Sequence, residues 1–544
     1  MLLDIILFPL FAATISIIGI GFWECVRKVS AVAPAPIPGF LFPLLGAFAI
    51  GLVALVINFF SGVANAYSFG VITAFFVYGC CLINKDIAKS LGLICVLAAL
   101  CTPLAADMQV GPDAGLYHLA HQRWIRDHEI IFGFAHLHAR YGFSSFLEYT
   151  NALLWIGETF KFLSYMSALF FVSLLCFVFY AINSRNNILK MFAFYLAIGM
   201  IIYDNYFIWK YGYADSAAGV AFALSIALGL YVLVLDEQHK ESRNSLLLAS
   251  FILSAMAVAL KVSSILAAIW AFFVFLVLLH RGLLSFKQVL GAVAFPAVFT
   301  LLWLLRGVFT TGCLLFPASW SCLDLPWNSK AQALEYSNAV TPWARHPHTG
   351  FSSLDSWSWL SDYWLAANSE FLIFFGVAVV IILVVAAVFR RFFETERLAA
   401  FQAIVLAGIV FAALALWFLK APTERFGIGV LMIVAPTMAL TLFGAPVIKN
   451  GFPTKAIGVL LIILMANNQG GFSIKGLSRF HILTVPQDEL VEHPVFGVHG
   501  KIPDDLCWAA PNCILSDPPA PKTRSGYLFF EQQDTQDGQT GLPD

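Results

Sequence analysis

Charge is what this sequence has least of. Only 12% of its 544 residues are Asp, Glu, Lys or Arg, about half the ~25% of a soluble domain. Lys and Arg number 31 against 32 Asp and Glu, for a formal net charge of −1. That balance lacks the basic field a nucleic-acid partner needs, so none is expected. Cysteine is sparse as well: ten are present, with no CxxC…CxxC spacing, and no zinc site is expected from them. The opening residues, MLLDIILFPLFAATISIIGIGF, lack a basic n-region and a small-residue cleavage site, and read as a first membrane span. No repeat of fixed period is visible, nor a matched pair of broken helices in the two halves of the chain.

What fills the chain is hydrocarbon. It is 60% hydrophobic with a mean hydropathy of +0.82. Its apolar runs approach the ~20 residues that cross a bilayer, and they are continuous, which predicts helices and not alternating barrel strands. The expected fold is an all-α polytopic membrane protein with fourteen spans. They fall near 3–24, 39–59, 66–83, 91–105, 161–182, 191–206, 214–235, 246–260, 263–279, 291–305, 370–389, 401–418, 426–444 and 455–467. With the N-terminus outside, the short inner loops carry Arg27, Lys28, Lys85, Lys89, Arg185, Lys190, Lys240, Arg243, Arg281, Lys287, Arg390, Arg391, Arg397, Lys449 and Lys455, while the short outer turns hold only Lys210, Lys261, Lys420 and Arg425. That asymmetry sets the orientation.

The chain then divides into N-terminal helices (1–90), a core (91–305) with a first large outer loop (106–160), a second outer loop (306–369), C-terminal helices (370–467) and an outer tail (468–544) whose last ~20 residues, rich in Pro, Asp and Gln, read as disordered. The second loop has a Trp-rich stretch, SLDSWSWLSDYWLAA, read as a helix on the membrane surface or a sugar-stacking platform. Cys313 with Cys322, and Cys507 with Cys513, lie at short spacing in outer segments and read as two disulfides.

The first outer loop concentrates the scarce charge. It holds Asp107, Asp113, Asp127, Glu129 and Glu148 with several His and Arg. Ionisable groups at the end of membrane helices are costly unless they face water or one another, which makes this loop a candidate site. Asp113, in GPDAGLYH, suits a general base or a stabiliser of developing positive charge; a helix cap is the plainer reading. Asp215, in YGYADSAAG, is a second carboxylate, or a cap for the helix it opens, with Asp204 before it. Facing Asp113, it would hold an acceptor or a divalent cation such as Mg or Mn. Lys261 (ALKVSS), Arg425 (TERFG) and, more weakly, Arg306 (WLLRGVF) fall at outer helix ends, where they clamp a phosphate or snorkel to headgroups. His118, His121, His128, His136 and His138 lack partners of metal-site spacing and read as hydrogen-bonding groups. WIRDHEI reads as a short amphipathic helix on the bilayer surface.

These blocks, DAGLYH (113–118), WI (124–125), GFAHLHARYGFSS (133–145), LKVSS (260–264), RGVFTTGCLLFP (306–317), TERFG (423–427) and LCWAAPNC (506–513), resemble those of a bacterial membrane-protein group. With the topology, the chain resembles the GT-C superfamily of integral-membrane glycosyltransferases. The resemblance spans about 90–515 and implies an inverting, metal-optional transfer of sugar from a polyprenyl-phosphate donor to a glycan or lipid acceptor. It implies Asp113 as base, Asp215 as second acidic residue, Lys261 and Arg425 at the donor phosphate, and Tyr117, His118, His138, Arg140 and Arg306 in substrate binding. It further implies a monomer in a bacterial inner membrane, with the site on the extracytoplasmic side among membrane lipids. The acidic loop follows the fourth span here and not the first, which sets Asp107 in competition with Asp113. The alternatives are an O-antigen-type polymerase or ligase, built on Arg and His, and a secondary transporter, which would place charge at mid-membrane depth.

Overall fold

The computed structural model describes residues 2–106, 108, 111, 113–155, 159, 161–203, 210, 212–235, 240–345, 357–447, 454–468, 490–491, 499–500, 522–524 and 527–530. Asp107, Asp204, the Cys507/Cys513 pair and the tail end lie outside them.

About 79% of the structure is helical and no sheet closes. Helices α1 (Leu2–Val29) and α2 (Leu41–Asn58) precede α3 (Ala66–Cys81) and α4 (Lys85–Leu100), which meet at a bend of 120°. Three short helices, α5 (Thr102–Ala106), α6 (Leu119–Asp127) and α7 (Phe146–Ala152), belong to the first polar segment. Then come α8 (Lys161–Ile182), α9 (Asn187–Ile202), α10 (Asp215–Leu233), α11 (Lys240–Leu260), α12 (Ile265–His280) and α13 (Phe286–Thr311). The second polar segment supplies α14 (Lys330–Arg345) and α15 (Leu365–Ala367), and α16 (Ser369–Phe392), α17 (Ala400–Lys420), α18 (Glu424–Phe443) and α19 (Thr454–Asn468) follow. The strands among the described residues are short antiparallel pairs, such as Thr523 opposite Leu528.

Every predicted span falls on a helix, but not every helix is a full span. Among the described residues ten are long and apolar enough to cross a membrane, and α3 with α4 makes one more bent candidate. Each of that pair has 16 residues, roughly 24 Å at 1.5 Å per residue, short of a ~30 Å hydrocarbon core. Helix α4 starts at Lys85 and not at 91, because the Asn84 side chain caps it by accepting from Asp86 N and Ile87 N at 3.0 Å.

The chain is thus an all-α polytopic membrane protein with a sorted interior. Helix α10 is buried along 94% of its apolar window and α8 along 89%, whereas α13, α16 and α17 are buried along 28% or less. The first two are hydrophobic all round because protein surrounds them. The others leave Leu301, Ile373 and Phe401 exposed, as lipid-facing helices do. The Cys313–Cys322 disulfide is present.

The polar segments gather at the end of the bundle where α10 and α18 begin. Lys161, at the start of α8, donates to Ala106 O at 3.2 Å and lies 3.6 Å from Asp4 of α1. The tail hairpin Lys522–Arg524/Tyr527–Phe529 joins them: Phe132 N donates to Leu528 O, and Phe530 N to Phe132 O, both at 2.9 Å. Helix α6 is amphipathic, but Leu119, His121, Trp124 and Ile125 are buried in protein and the helix packs on α7, so it does not lie on a bilayer surface.

Candidate functional site

Two helix starts fix the site. A Cβ on Gly219 would stand 2.5 Å from Ile428 Cγ2, and one on Gly429 would stand 3.1 Å from the Phe222 ring. Only glycine lets α10 and α18 approach this closely. Asp215 and Arg425 each lie four residues before one of these glycines, one turn up the same helix face. The crossing therefore draws the two first turns together.

The Arg425 turn is braced from outside. Trp364 Nε1 donates to Pro422 O at 2.6 Å, and Trp417 Nε1 donates to Thr423 O at 2.7 Å. Trp359 and Trp364 are buried against Phe418. Much of the Trp-rich stretch thus buttresses this turn; Trp357 alone of its tryptophans is exposed.

Onto these turns the first polar segment lowers Asp113. Its Oδ2 accepts from Arg425 Nη1 at 2.9 Å and its Oδ1 from Arg140 Nη1 at 3.4 Å. Its backbone N–H donates to Tyr213 Oη at 3.3 Å. Gly111 is required beneath it, since a Cβ there would stand 2.5 Å from that hydroxyl. Asp215 pairs with Lys261, which follows the end of α11. Neither carboxylate caps a helix: Asp113 makes no cap bond, and the cap position before α10 is Ala214.

Aromatic faces complete the floor. Arg425 lies over Tyr213 and Phe426, Lys261 over Phe426, and Arg140 over Tyr117, at 4.0–5.4 Å. Burial, then the Asp113 charge, pushes the Tyr213 hydroxyl up to about 12, and the same causes raise Tyr117. Both stay protonated donors at neutral pH. Among the ion-paired groups three cations meet two carboxylates, leaving one positive charge, and Lys210 lies 5.8 Å over the same Tyr213 ring. Arg425 also keeps a buried Nε–H with no hydrogen-bond partner, a donor left unmet beside the two carboxylates.

Behind it lies a second centre. Glu148 is 1% exposed. Its Oε1 bonds His118 Nδ1 at 2.8 Å, and its Oε2 accepts from Ser145 N at 2.8 Å. His121 Nδ1 lies 2.9 Å from Oε2, at ion-pair distance but without a hydrogen-bond angle. Burial alone would raise the Glu148 pKa; the charges and hydrogen bonds of His121 and His118 outweigh it and hold the carboxyl well below the ordinary range. A carboxylate only accepts, so His118 donates from Nδ1. Its ring packs beside Tyr117 and Tyr213, 4.0 and 5.5 Å between centroids. Thus Glu148 orients the histidine that supports the floor.

Two other predicted residues lie beside these centres. His138 Nδ1 accepts from Arg140 N at 3.2 Å, and burial, then Arg140 and His121, lowers its pKa to about 4, so it is neutral. Arg306 is buried toward the end of α13, within electrostatic reach of Glu148 and Tyr149, with its guanidinium 4.4 Å over Trp303 and its Nε and Nη1 without hydrogen-bond partners. Asp113 and Asp215 are each taken by side-chain cations, and among the described residues no three His, Cys, Asp or Glu side chains gather as a metal-ligand set. The residues present do not fit a divalent cation. Tyr213, Phe426 and Glu148 escaped the sequence reading as site residues. The signal for the first two was adjacency, Tyr213 two positions before Asp215 and Phe426 next to Arg425.

No curated protein and no solved structure matches the chain. A family model does, over residues 1–432, a stretch that contains all five charged members of the cluster and stops inside α18. By that match the chain belongs to the family described as a domain of unknown function, DUF8201.

Proposed function

We propose that the protein is a GT-C-like inverting glycosyltransferase. It moves a sugar from a polyprenyl-phosphate donor to a glycan or lipid acceptor at the extracytoplasmic face of a bacterial inner membrane. One observation carries the reading: Asp113, Arg140, Asp215, Lys261 and Arg425, from four separate stretches of chain, meet at one end of the bundle with one positive charge in excess. A lipid-linked phosphate presents itself at that depth, and arginine's fork with a lysine point charge is what it needs.

The ion pairs suggest an order of events. Without donor, Arg425 is held by Asp113. A phosphate that draws Arg425 to itself frees one Asp113 oxygen beside the bond to be broken. The acceptor O–H then gives its proton to Asp113 as its oxygen bonds the anomeric carbon. The sugar–phosphate C–O bond breaks, and its electron pair leaves on the lipid phosphate. Lipid phosphate is a competent leaving group, so no strong acid is required.

The Arg- and His-based polymerase or ligase reading has its own support, because Glu148 fixes His118 beside the cluster. Asp113→Asn separates the two. Purified protein is given a panel of polyprenyl-phosphate sugars with acceptor glycans and lipids. The glycosyltransferase reading expects donor-dependent transfer by the wild type and a loss of at least about 100-fold in the variant, the scale of one positioned base. A folded variant with full transfer would remove Asp113 as base and favour the alternative.

A further inference from the structure

A cleft of about 830 Å³ opens at the far end of the bundle, where α8 and α10 finish. The 19 residues of α10 put it roughly 28 Å from the Asp113 cluster. It takes no part in the function proposed above. Its size is that of a ligand site, and its lining has two characters. Leu93, Cys176, Phe179 and Val234 make an apolar wall on helices of the membrane bundle. The rim is polar, with Arg185, Asn183 and Glu396.

The rim carries both signs of charge. Glu396 is exposed and supplies negative charge, with one oxygen accepting from Asn187 Nδ2 at 3.4 Å, and the carbonyl ends of α8 and α10 add partial negative charge. Arg185 is exposed and supplies the one cation that no acidic neighbour on its own turn offsets, since Lys89 is paired with Asp86 at 2.8 Å. The pattern asks for a head with a negative oxygen and an N–H donor, joined to an apolar body.

We propose that this cleft is a binding site for a phospholipid with a primary-amine headgroup. Its phosphate matches Arg185, its ammonium matches Glu396, and its chains match the wall of Leu93 and Phe179. Lys/Arg asymmetry puts this end at the cytoplasmic leaflet, where such a lipid is at hand.

The full-length protein, delipidated in detergent, is offered phosphatidylethanolamine, phosphatidylcholine, phosphatidylglycerol or inorganic phosphate, with occupancy read by native mass spectrometry. Phosphatidylcholine cannot donate, and phosphatidylglycerol has no amine. Phosphatidylethanolamine should be retained about tenfold over both, roughly one charge-assisted hydrogen bond's worth. Arg185→Glu and Glu396→Gln, both at exposed positions, should each lower its occupancy about tenfold, the first without changing the melting midpoint of lipid-free protein. Equal retention of all three lipids would mean a non-specific lipid shell and overturn the site. Unchanged occupancy in Arg185→Glu would overturn it too, as would inorganic phosphate competing at the lipid's own concentration.

Discussion

Asp113 and Glu148 belong to the same polar segment, and each has a nitrogenous side chain beside both of its oxygens. The partners differ in kind. Glu148 is held by His118 and His121 and by Ser145 N, all within its own segment, and it is shut away from solvent. Asp113 is one-fifth exposed and is held by Arg140 and by Arg425, the latter 312 residues further along the chain. A carboxylate buried with local partners builds the loop that contains it. A half-open one with a distant partner registers how separate parts of the molecule are placed, and can exchange that partner for a ligand. Burial and the reach of the partners, more than residue type, separate these two carboxylates.

The sharpest way to break this contrast is to remove each carboxylate and compare stabilities. Glu148→Leu leaves the His118 imidazole and the Ser145 N–H buried without their acceptor and His121 without its facing charge, at a cost of roughly 3–5 kcal/mol. Asp113→Asn, partly hydrated, should cost about 1 kcal/mol or less. Melting midpoints in one detergent at pH 7 test this, and equal shifts would erase the distinction. The pH dependence has a sign as well. Glu148's folded pKa is depressed, so its stabilisation is complete above the unfolded value of about 4.3 and is lost as pH falls toward the folded one.

The contrast also accounts for what could be read from the chain. Helices and their order were legible because hydrocarbon runs leave little choice in lipid. Asp113, Asp215, Lys261 and Arg425 stood out because charge is scarce in this sequence, so each exception drew notice. Pairing was not legible. Nothing in TERFG says that its arginine meets Asp113, since that contact comes from helix packing. The number of full spans was not legible, because α3, α4, α9 and α19 are apolar runs of 15 or 16 residues, which composition alone does not distinguish from full crossings. The packing role of the Trp-rich stretch was not legible, because nothing in its composition says that Trp364 donates to Pro422 O.

A smaller perturbation sharpens the same comparison by moving the helices. Gly219→Leu puts branched bulk against Ile428, where even a Cβ would lie at 2.5 Å. Overpacking costs about 1–3 kcal/mol, and it should spread the first turns of α10 and α18, parting Arg425 from Asp215. Donor-dependent transfer should fall about tenfold or more, while the Glu148 centre, built within its own segment, keeps its pH response. Full transfer in a stably folded Gly219→Leu would show that this crossing does not set the site.

The smallest expected effect concerns His138, which joins the two centres by accepting from Arg140 N while its ring lies against Tyr141. Its folded pKa of about 4 lies below its ordinary value of 6.5. Between those values the unfolded chain takes up a proton that the folded chain refuses, so stability falls as pH drops from 6.5 toward 4 and is unaffected by this group above that window. Protonation would also end its acceptance from Arg140 N, loosening the guanidinium that reaches Asp113. His136 has the same sign and stays in place in both proteins, so the comparison must be differential. His138→Gln keeps an acceptor but does not titrate. Its melting midpoint should drop less than the wild type's between pH 7.5 and pH 5, and an equal drop would mean that His138 is already charged in the folded state.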